Sequence, residues 1–151
     1  MAFVLLACAL LLTATTLLHY EALRSLNLGL PRLSIPDRPK LVLVIIVAFF
    51  AHAAEMVMYG GAYYGLIGWL DIGSLSGAGT SLLATCMYLS AETYTSLGFG
   101  DVTPVGPVRM LVGVEALNGL LLIGWSASFT YISMERFWST SKNADQRPSS
   151  S

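Results

Sequence analysis

The sequence predicts an all-α integral membrane protein with three spanning helices and one re-entrant half-helix, and three observations carry that expectation. Hydrophobic residues make up 55% of the 151-residue chain and charged residues only 11%, which is too apolar for a soluble globule of this length. Apolar stretches at 2–18, 39–59 and 108–133 are close to or above the ~20 residues a spanning helix needs. A fourth stretch, 79–94, is too short to cross. It lies between the Gly/Ser-rich run 72–79 and the pair Gly98 and Gly100, the pattern of a half-helix followed by a return loop. Non-helical backbone at membrane depth is tolerated only where protein buries it or where it lines a watery cavity, so the pattern already implies a pore or binding cavity.

Taken in order, residues 1–19 are read as an N-terminal transmembrane helix. No Lys or Arg precedes the apolar run and no small-x-small cleavage site follows it, which argues against a signal peptide. Leu5-Leu6-Ala7-Cys8 faintly resembles a lipoprotein cleavage box but sits too near the start. Residues 20–38 are expected to form a cytoplasmic or interfacial linker, with Leu23, Leu26, Leu28 and Leu30 lying along the interface and Pro31 and Pro36 preventing a long helix. Residues 39–138 form the next unit: an outer helix 39–59, a half-helix 79–94 capped by Thr80 or Ser76, a loop 95–101 and an inner helix 108–133. The Ser-rich tail 139–151 is expected to be disordered. Cys8 and Cys86 fall in apolar segments and read as small buried hydrophobes.

Charge placement sets an expected orientation. The net charge of -1 gives no basic excess for a nucleic-acid partner. Seven of the eight basic residues lie in the 19–40 linker and the C-terminal tail, and only Arg109 lies between the second and third spans. By the positive-inside rule, linker and C-terminus are cytoplasmic and the N-terminus and return loop face outward across the cell (plasma or inner) membrane. Trp69, Tyr63 and Tyr64 would anchor one interface, and Phe137 and Trp138 the other.

Residues Thr93-Tyr94-Thr95-Ser96-Leu97-Gly98-Phe99-Gly100-Asp101 resemble the selectivity filter of potassium channels, whose usual form is Thr-Val-Gly-Tyr-Gly-Asp. The resemblance covers about residues 80–138. It implies a two-helix pore, to which this chain adds an N-terminal span, assembled as a homotetramer. A potassium ion trades water oxygens for backbone carbonyls of four identical loops, and aiming consecutive carbonyls inward requires positive φ, which is cheap for Gly98 and Gly100. By resemblance, Ser96, Leu97, Gly98 and Phe99 supply carbonyls for K+, and the Ser96 hydroxyl completes the innermost site. Ser96, Leu97 and Phe99 replace the usual Thr, Val and Tyr, and Phe99 lacks a phenol to tether the outer filter. Thr93, Thr95 and Asp101 would support the filter. Glu92, four residues before Ser96, resembles the acid that shares a proton or water with the aspartate at position 101; two close carboxylates do not both ionise cheaply.

The inner helix extends the resemblance. Pro104 follows Asp101 by three residues, and Gly119 and Gly124 fall near the glycines where such helices bend or pack. Leu120, Ile123, Ala127, Ser128 and Tyr131 would then line the pore, with Tyr131 a constriction or an interfacial aromatic. Glu115 and Asn118 are costly inside a span and are functional candidates by default. Glu115 lies about 140° around the helix from Leu120 and so away from the pore. Its expected partners are His52 and Glu55 or half-helix hydroxyls, in a buried polar network; a cavity charge ring is the alternative. The same four residues also allow a metal site, although His52-Ala-Ala-Glu55 reverses the usual Glu-x-x-His order.

The reading is therefore a potassium-selective channel subunit, not an enzyme, with K+ as permeant ligand, membrane lipid as solvent and no cofactor. The alternatives are a channel passing sodium as well, or a non-conducting partner subunit. No span carries an Arg ladder, which argues against voltage sensing.

Overall fold

The computed structural model describes residues 1–77, 79 and 81–145, with side chains through 136. The chain forms α1 (Ala2–Gly29), a 3-10 turn (Leu30–Arg32), α2 (Asp37–Gly68), β1 (Ser74–Ser76), α3 (Leu82–Tyr94), β2 (Thr103–Val105) and α4 (Val108–Asp145). Three helices among the described residues are long and apolar enough to cross a membrane: α1 with its 3-10 turn, α2, and α4 through Arg136. The all-α membrane class holds, and α3 is the short half-helix between α2 and α4.

The helices are longer than their apolar runs suggest. α1 continues to Gly29 where a linker was expected from residue 20, because nothing from 2 to 28 is Gly or Pro and Leu23, Leu26 and Leu30 share one face. That face is buried against Val44, with Leu43, Val47 and Phe129 beside it, so these leucines pack on protein and do not lie along an interface. The helix ends where Pro31 removes a donor. α2 starts after Pro36 and runs through Gly60, Gly61 and Gly65 to Gly68, past the expected end at residue 59. Helical glycines cost about 1 kcal/mol each. Burial of Tyr59, Tyr63 and Leu66 on one face of this extension offsets that cost.

Further expectations are corrected by the fold. Tyr63 is fully buried and does not anchor an interface, whereas Trp69 is 80% exposed with Tyr64 edge-on against it at 5.9 Å. The α3 cap residue is Ser81, without a side-chain cap bond; Ser76 is in β1, and Thr80 lies outside the described residues. α4 extends to Asp145, so the tail is helical over 139–145, while 146–151 and the side chains of Phe137 and Trp138 lie outside the described residues. A short ribbon was not foreseen: β1 and β2 pair antiparallel with Leu75 opposite Pro104, tying the segment before α3 to the segment after the return loop.

The core gathers where α2, α3 and α4 meet. Tyr59, Tyr63, Leu66, Cys86, Leu89, Tyr94, Val102, Val108 and Leu111 are buried together, with Val4 and Cys8 of α1 closing the cluster. Both cysteines are free and buried. α1 lies against α2 and α4 of its own chain. Outward, α1 and α2 present Phe3, Leu6, Leu10, Leu17, Ile45, Phe49, Phe50 and Val57, an apolar surface suited to lipid.

Gly119 fixes the close approach of α4 to the end of α3: a Cβ there would stand 2.3 Å from the carbonyl oxygen of Tyr94. Replacing Gly119 with Ala is expected to push α4 off the end of α3 and to lower the thermal unfolding temperature of the detergent-solubilised protein by several degrees, as overpacking of ~1–3 kcal/mol would. Gly124, with nothing within 4 Å of such a Cβ, is the matched control and should tolerate Ala far better.

Candidate functional site

The last turn of α3 and the loop after it form the first part of the site. The Glu92 carbonyl accepts the amides of both Leu97 (2.9 Å) and Gly98 (3.2 Å), folding the chain back at the helix end. Thr95 Oγ1 donates to the Ala91 carbonyl at 2.7 Å, and Thr93 is buried. From there the backbone alternates: Ser96, Gly98 and Gly100 have φ of 57°, 54° and 78°, while Leu97 and Phe99 do not share that sign. Positive φ at the two glycines matches the sequence expectation; Ser96 is a third such position, where a side chain costs ~1–2 kcal/mol. Successive carbonyls of such an alternating strand turn toward one side. Leu97 and Phe99 are 60% and 66% exposed, and among the described residues nothing beyond the chain neighbours lies within 4 Å of a Cβ built at Gly98 or Gly100.

Behind the loop, Glu92 is buried and its Oε2 has no hydrogen-bond partner among the described residues. Burial raises its carboxyl above the usual carboxylate range, and the negative charge of Asp101 adds to the rise, against a smaller pull from the Phe99 amide. Asp101 itself accepts from the Tyr88 hydroxyl at 3.0 Å. Sequence reasoning missed Tyr88. Its place one helical turn before Glu92, on the same face of α3, was the available signal.

The intramembrane polar residues separate into three groups. Glu115 on α4 accepts from Tyr63 of α2 and Ser90 of α3, each at 2.5 Å, and Ser90 also reaches the Met56 carbonyl at 2.8 Å. Asn118 donates to Thr15 of α1 at 2.7 Å and to Tyr59 at 3.1 Å. Glu55 accepts from His19 Nδ1 at 2.9 Å, lies 3.2 Å from His52 Nδ1, and also accepts from the Tyr94 hydroxyl. His52 Nδ1 is 2.8 Å from that hydroxyl, and Ser126 Oγ stands 3.1 Å from Nε2 of both histidines.

His52 and Glu55 therefore meet each other but not Glu115, contrary to expectation. The reason is axial. They sit at the level of Ser126, which lies ~16 Å along α4 from Glu115 at ~1.5 Å per residue. The half-helix hydroxyl alternative is the arrangement found for Glu115, with Ser90 as donor. His19, Thr15, Tyr59, Ser90 and Ser126 were not singled out, Tyr63 was expected at an interface, and Tyr94 entered only as part of the loop motif. Once α1 was ended at residue 19, no pattern signalled that its last turns would face α2 and α4.

The proposed pore-lining positions Leu120, Ile123, Ala127, Ser128 and Tyr131 are all exposed on the single chain, whereas Leu111, Glu115, Asn118, Leu122 and Ser126 on the other side of α4 are buried. One face of α4 thus packs within the chain and the other is left bare.

A family profile described as Ion channel matches residues 41–136, more than half of the chain. The chain belongs to this ion channel family. The match runs from the start of α2 through α3 and the return loop into α4, so α1 is an addition to the family unit. The chain is also similar to Protein LctB of Geobacillus stearothermophilus, 45% identical over 49 residues that cover 32% of this chain and 37% of that protein. Protein LctB of Bacillus caldotenax is 48% identical over 42 residues, 28% of this chain and 31% of that protein. The chain spans about a third of the length of these curated relatives. No solved structure matches. Ion channel family membership and three helices long and apolar enough to cross a bilayer make this a membrane protein of that family.

The pH response of the loop follows from Glu92. A carboxyl whose folded pKa is raised contributes stability that is full below the ordinary value of ~4.3 and is lost as pH rises through the raised value. Wild-type protein should therefore lose thermal stability relative to Glu92→Gln as pH is raised from that range toward neutrality. A wild-type minus variant difference that is flat, or that grows with pH, would refute the assignment. For Glu115, Tyr63→Phe and Ser90→Ala each remove a donor to a buried carboxyl and should each cost ~1–3 kcal/mol. Their double-mutant cycle should show coupling, because both donors serve the same group.

Proposed function

We propose that the chain is one subunit of a homotetrameric, potassium-selective channel that conducts K+ passively across the cell (plasma or inner) membrane. The observation that carries this reading is the alternating backbone of 96–100, with positive φ at every second residue, immediately after the C-terminal end of a half-helix. Such a strand can offer rows of carbonyl oxygens to a dehydrated cation. The carbonyls of Ser96, Leu97, Gly98 and Phe99, with the Ser96 hydroxyl, form the ion sites, and Gly100 closes the run. Glu92, Thr93, Thr95 and Asp101 brace it, and the partly negative end of α3 favours a cation in the cavity below.

Four copies complete the site because one loop is one quarter of a ring and a closed cyclic assembly leaves no copy of the loop facing lipid. Leu120, Ile123, Ala127, Ser128 and Tyr131 line the path beneath the filter, with Tyr131 at the cytoplasmic end and Gly119 and Gly124 as packing or bending points. His52, Glu55, Glu115 and Asn118 act behind the wall, holding the helices in register. The basic residues around the α1–α2 connection and in the tail support a cytoplasmic C-terminus, with the N-terminus and return loop outside.

The test is flux in liposomes. Purified wild-type protein should pass K+ in a barium-sensitive manner, with a reversal potential near that of potassium under opposed K+ and Na+ gradients; a potential near zero would make it a weakly selective cation channel. Gly98→Ala should reduce K+ flux at least tenfold, since ~1–2 kcal/mol of backbone strain in each of four loops exceeds the ~1.4 kcal/mol that a factor of ten represents. Wild-type protein without flux would point to a non-conducting partner subunit.

A further inference from the structure

His19, His52 and Glu55 each bring one ligand atom to a common point, all within 4.8 Å of one another. Tetrahedral zinc-class ions, with bonds of ~2.0–2.1 Å to imidazole nitrogen and carboxylate oxygen, hold neighbouring ligand atoms roughly 3.3 Å apart. The separations here are 2.9 Å from His19 Nδ1 to Glu55 Oε1, 3.2 Å from His52 Nδ1 to Glu55 Oε2 and 2.8 Å from His52 Nδ1 to the Tyr94 oxygen, which also touches Glu55 Oε2 and so stands beside two of the three ligands. His19 and Glu55 have no exposed side-chain surface and His52 has 16%.

The hydrogen bonds around the cluster also accommodate an ion. Ser126 Oγ is 3.1 Å from Nε2 of both imidazoles but has one hydrogen to give. Without an ion the count closes when His19 carries its proton on Nδ1 and His52 on Nε2, so that Ser126 donates to one imidazole and accepts from the other while Tyr94 donates to His52. With a cation at the common point the count closes as well: both Nδ1 lone pairs bind metal, both Nε2–H groups donate to the two lone pairs of Ser126, and Glu55 remains the anionic ligand. An outer-shell partner that orients a metal-bound histidine through its other nitrogen is the usual accompaniment of such ligands.

We propose that His19, His52, Glu55 and Tyr94 bind a divalent transition metal of the zinc class, joining α1, α2 and the last residue of α3 behind the return loop. The role is structural. The ion would fasten the added N-terminal helix to the family unit and hold the end of α3 from which the loop departs.

The experiment is metal analysis of the full-length protein, purified in detergent after growth in zinc-supplemented medium and freed of loosely held ions by dialysis. About one equivalent of zinc per chain is expected, falling to background in His19→Gln and Glu55→Gln, which preserve size and hydrogen bonding. Exchange with Co2+ should give the intense visible absorption of a tetrahedral site, absent in the same variants; His52→Cys, still a zinc ligand, should retain it. Wild-type protein that stays folded with metal at background, or metal retained equally in His19→Gln, overturns the site and leaves the ring as a hydrogen-bonded network. If the variants fail to fold, the wild-type zinc content and cobalt spectrum decide. None of these readouts depends on ion flux, so they stand apart from the channel assignment.

Discussion

The structure depends on how the C-terminal end of α3 is held. A half-helix that stops inside a membrane leaves carbonyls without helical partners where no lipid can satisfy them. Here the protein answers from three sides. The Glu92 carbonyl takes the Leu97 and Gly98 amides, which turns the chain sharply. The absence of a side chain at Gly119 lets α4 close on the Tyr94 carbonyl. The Tyr94 side chain reaches the other way, into the Glu55 and His52 cluster of α2. The loop that follows inherits its direction from these contacts, so the alternating backbone of 96–100 is the downstream result of a well-fixed helix end.

The same constraint explains why so many polar side chains are buried in an apolar chain. Three of them find partners on other helices: Glu115 accepts from α2 and α3, Asn118 donates to α1 and α2, and Glu55 accepts from α1 and α3. Between apolar helices there is little hydrophobic preference for one register over another in lipid, so hydrogen bonds of this kind set the register. They lie in tiers along α4, with Glu115, Asn118 and Ser126 on one buried face, and together they fix α1 to the unit that the ion channel family shares.

Much of this was legible in residue order. Hydropathy located the three spans and the short fourth stretch, and two glycines flanked by Ser96 and Asp101 located the return loop. The helix ends were less legible, because leucines at 23, 26 and 30 suit an interface as well as a protein face, and only α2 decides between them. Glycines at 60, 61 and 65 likewise read as a helix end until Tyr63 and Leu66 are seen to be buried. Partners were least legible: Glu115 and Glu55 were visible as oddities, but which hydroxyl or imidazole meets them depends on axial offsets between helices that the sequence does not encode locally. Tyr63 illustrates the point, being an aromatic near a span end that turned out to serve a carboxylate.

The bare surface of the protomer divides into two kinds, and the division bears on assembly. The outer faces of α1 and α2 expose aliphatic and phenyl side chains over helices whose backbone groups are satisfied internally, which lipid can solvate. The other bare surface runs from Leu97 and Phe99 down Leu120, Ile123 and Tyr131, and it includes backbone with no regular hydrogen bonding. Lipid cannot cover that second surface at tolerable cost, since each unsatisfied amide or carbonyl costs several kcal/mol in hydrocarbon. A single chain is thus an incomplete object in a membrane. Under the proposed reading the deficit is met by copies of the same loop around a hydrated axis, which converts the exposed carbonyls from a liability into ligands for a cation.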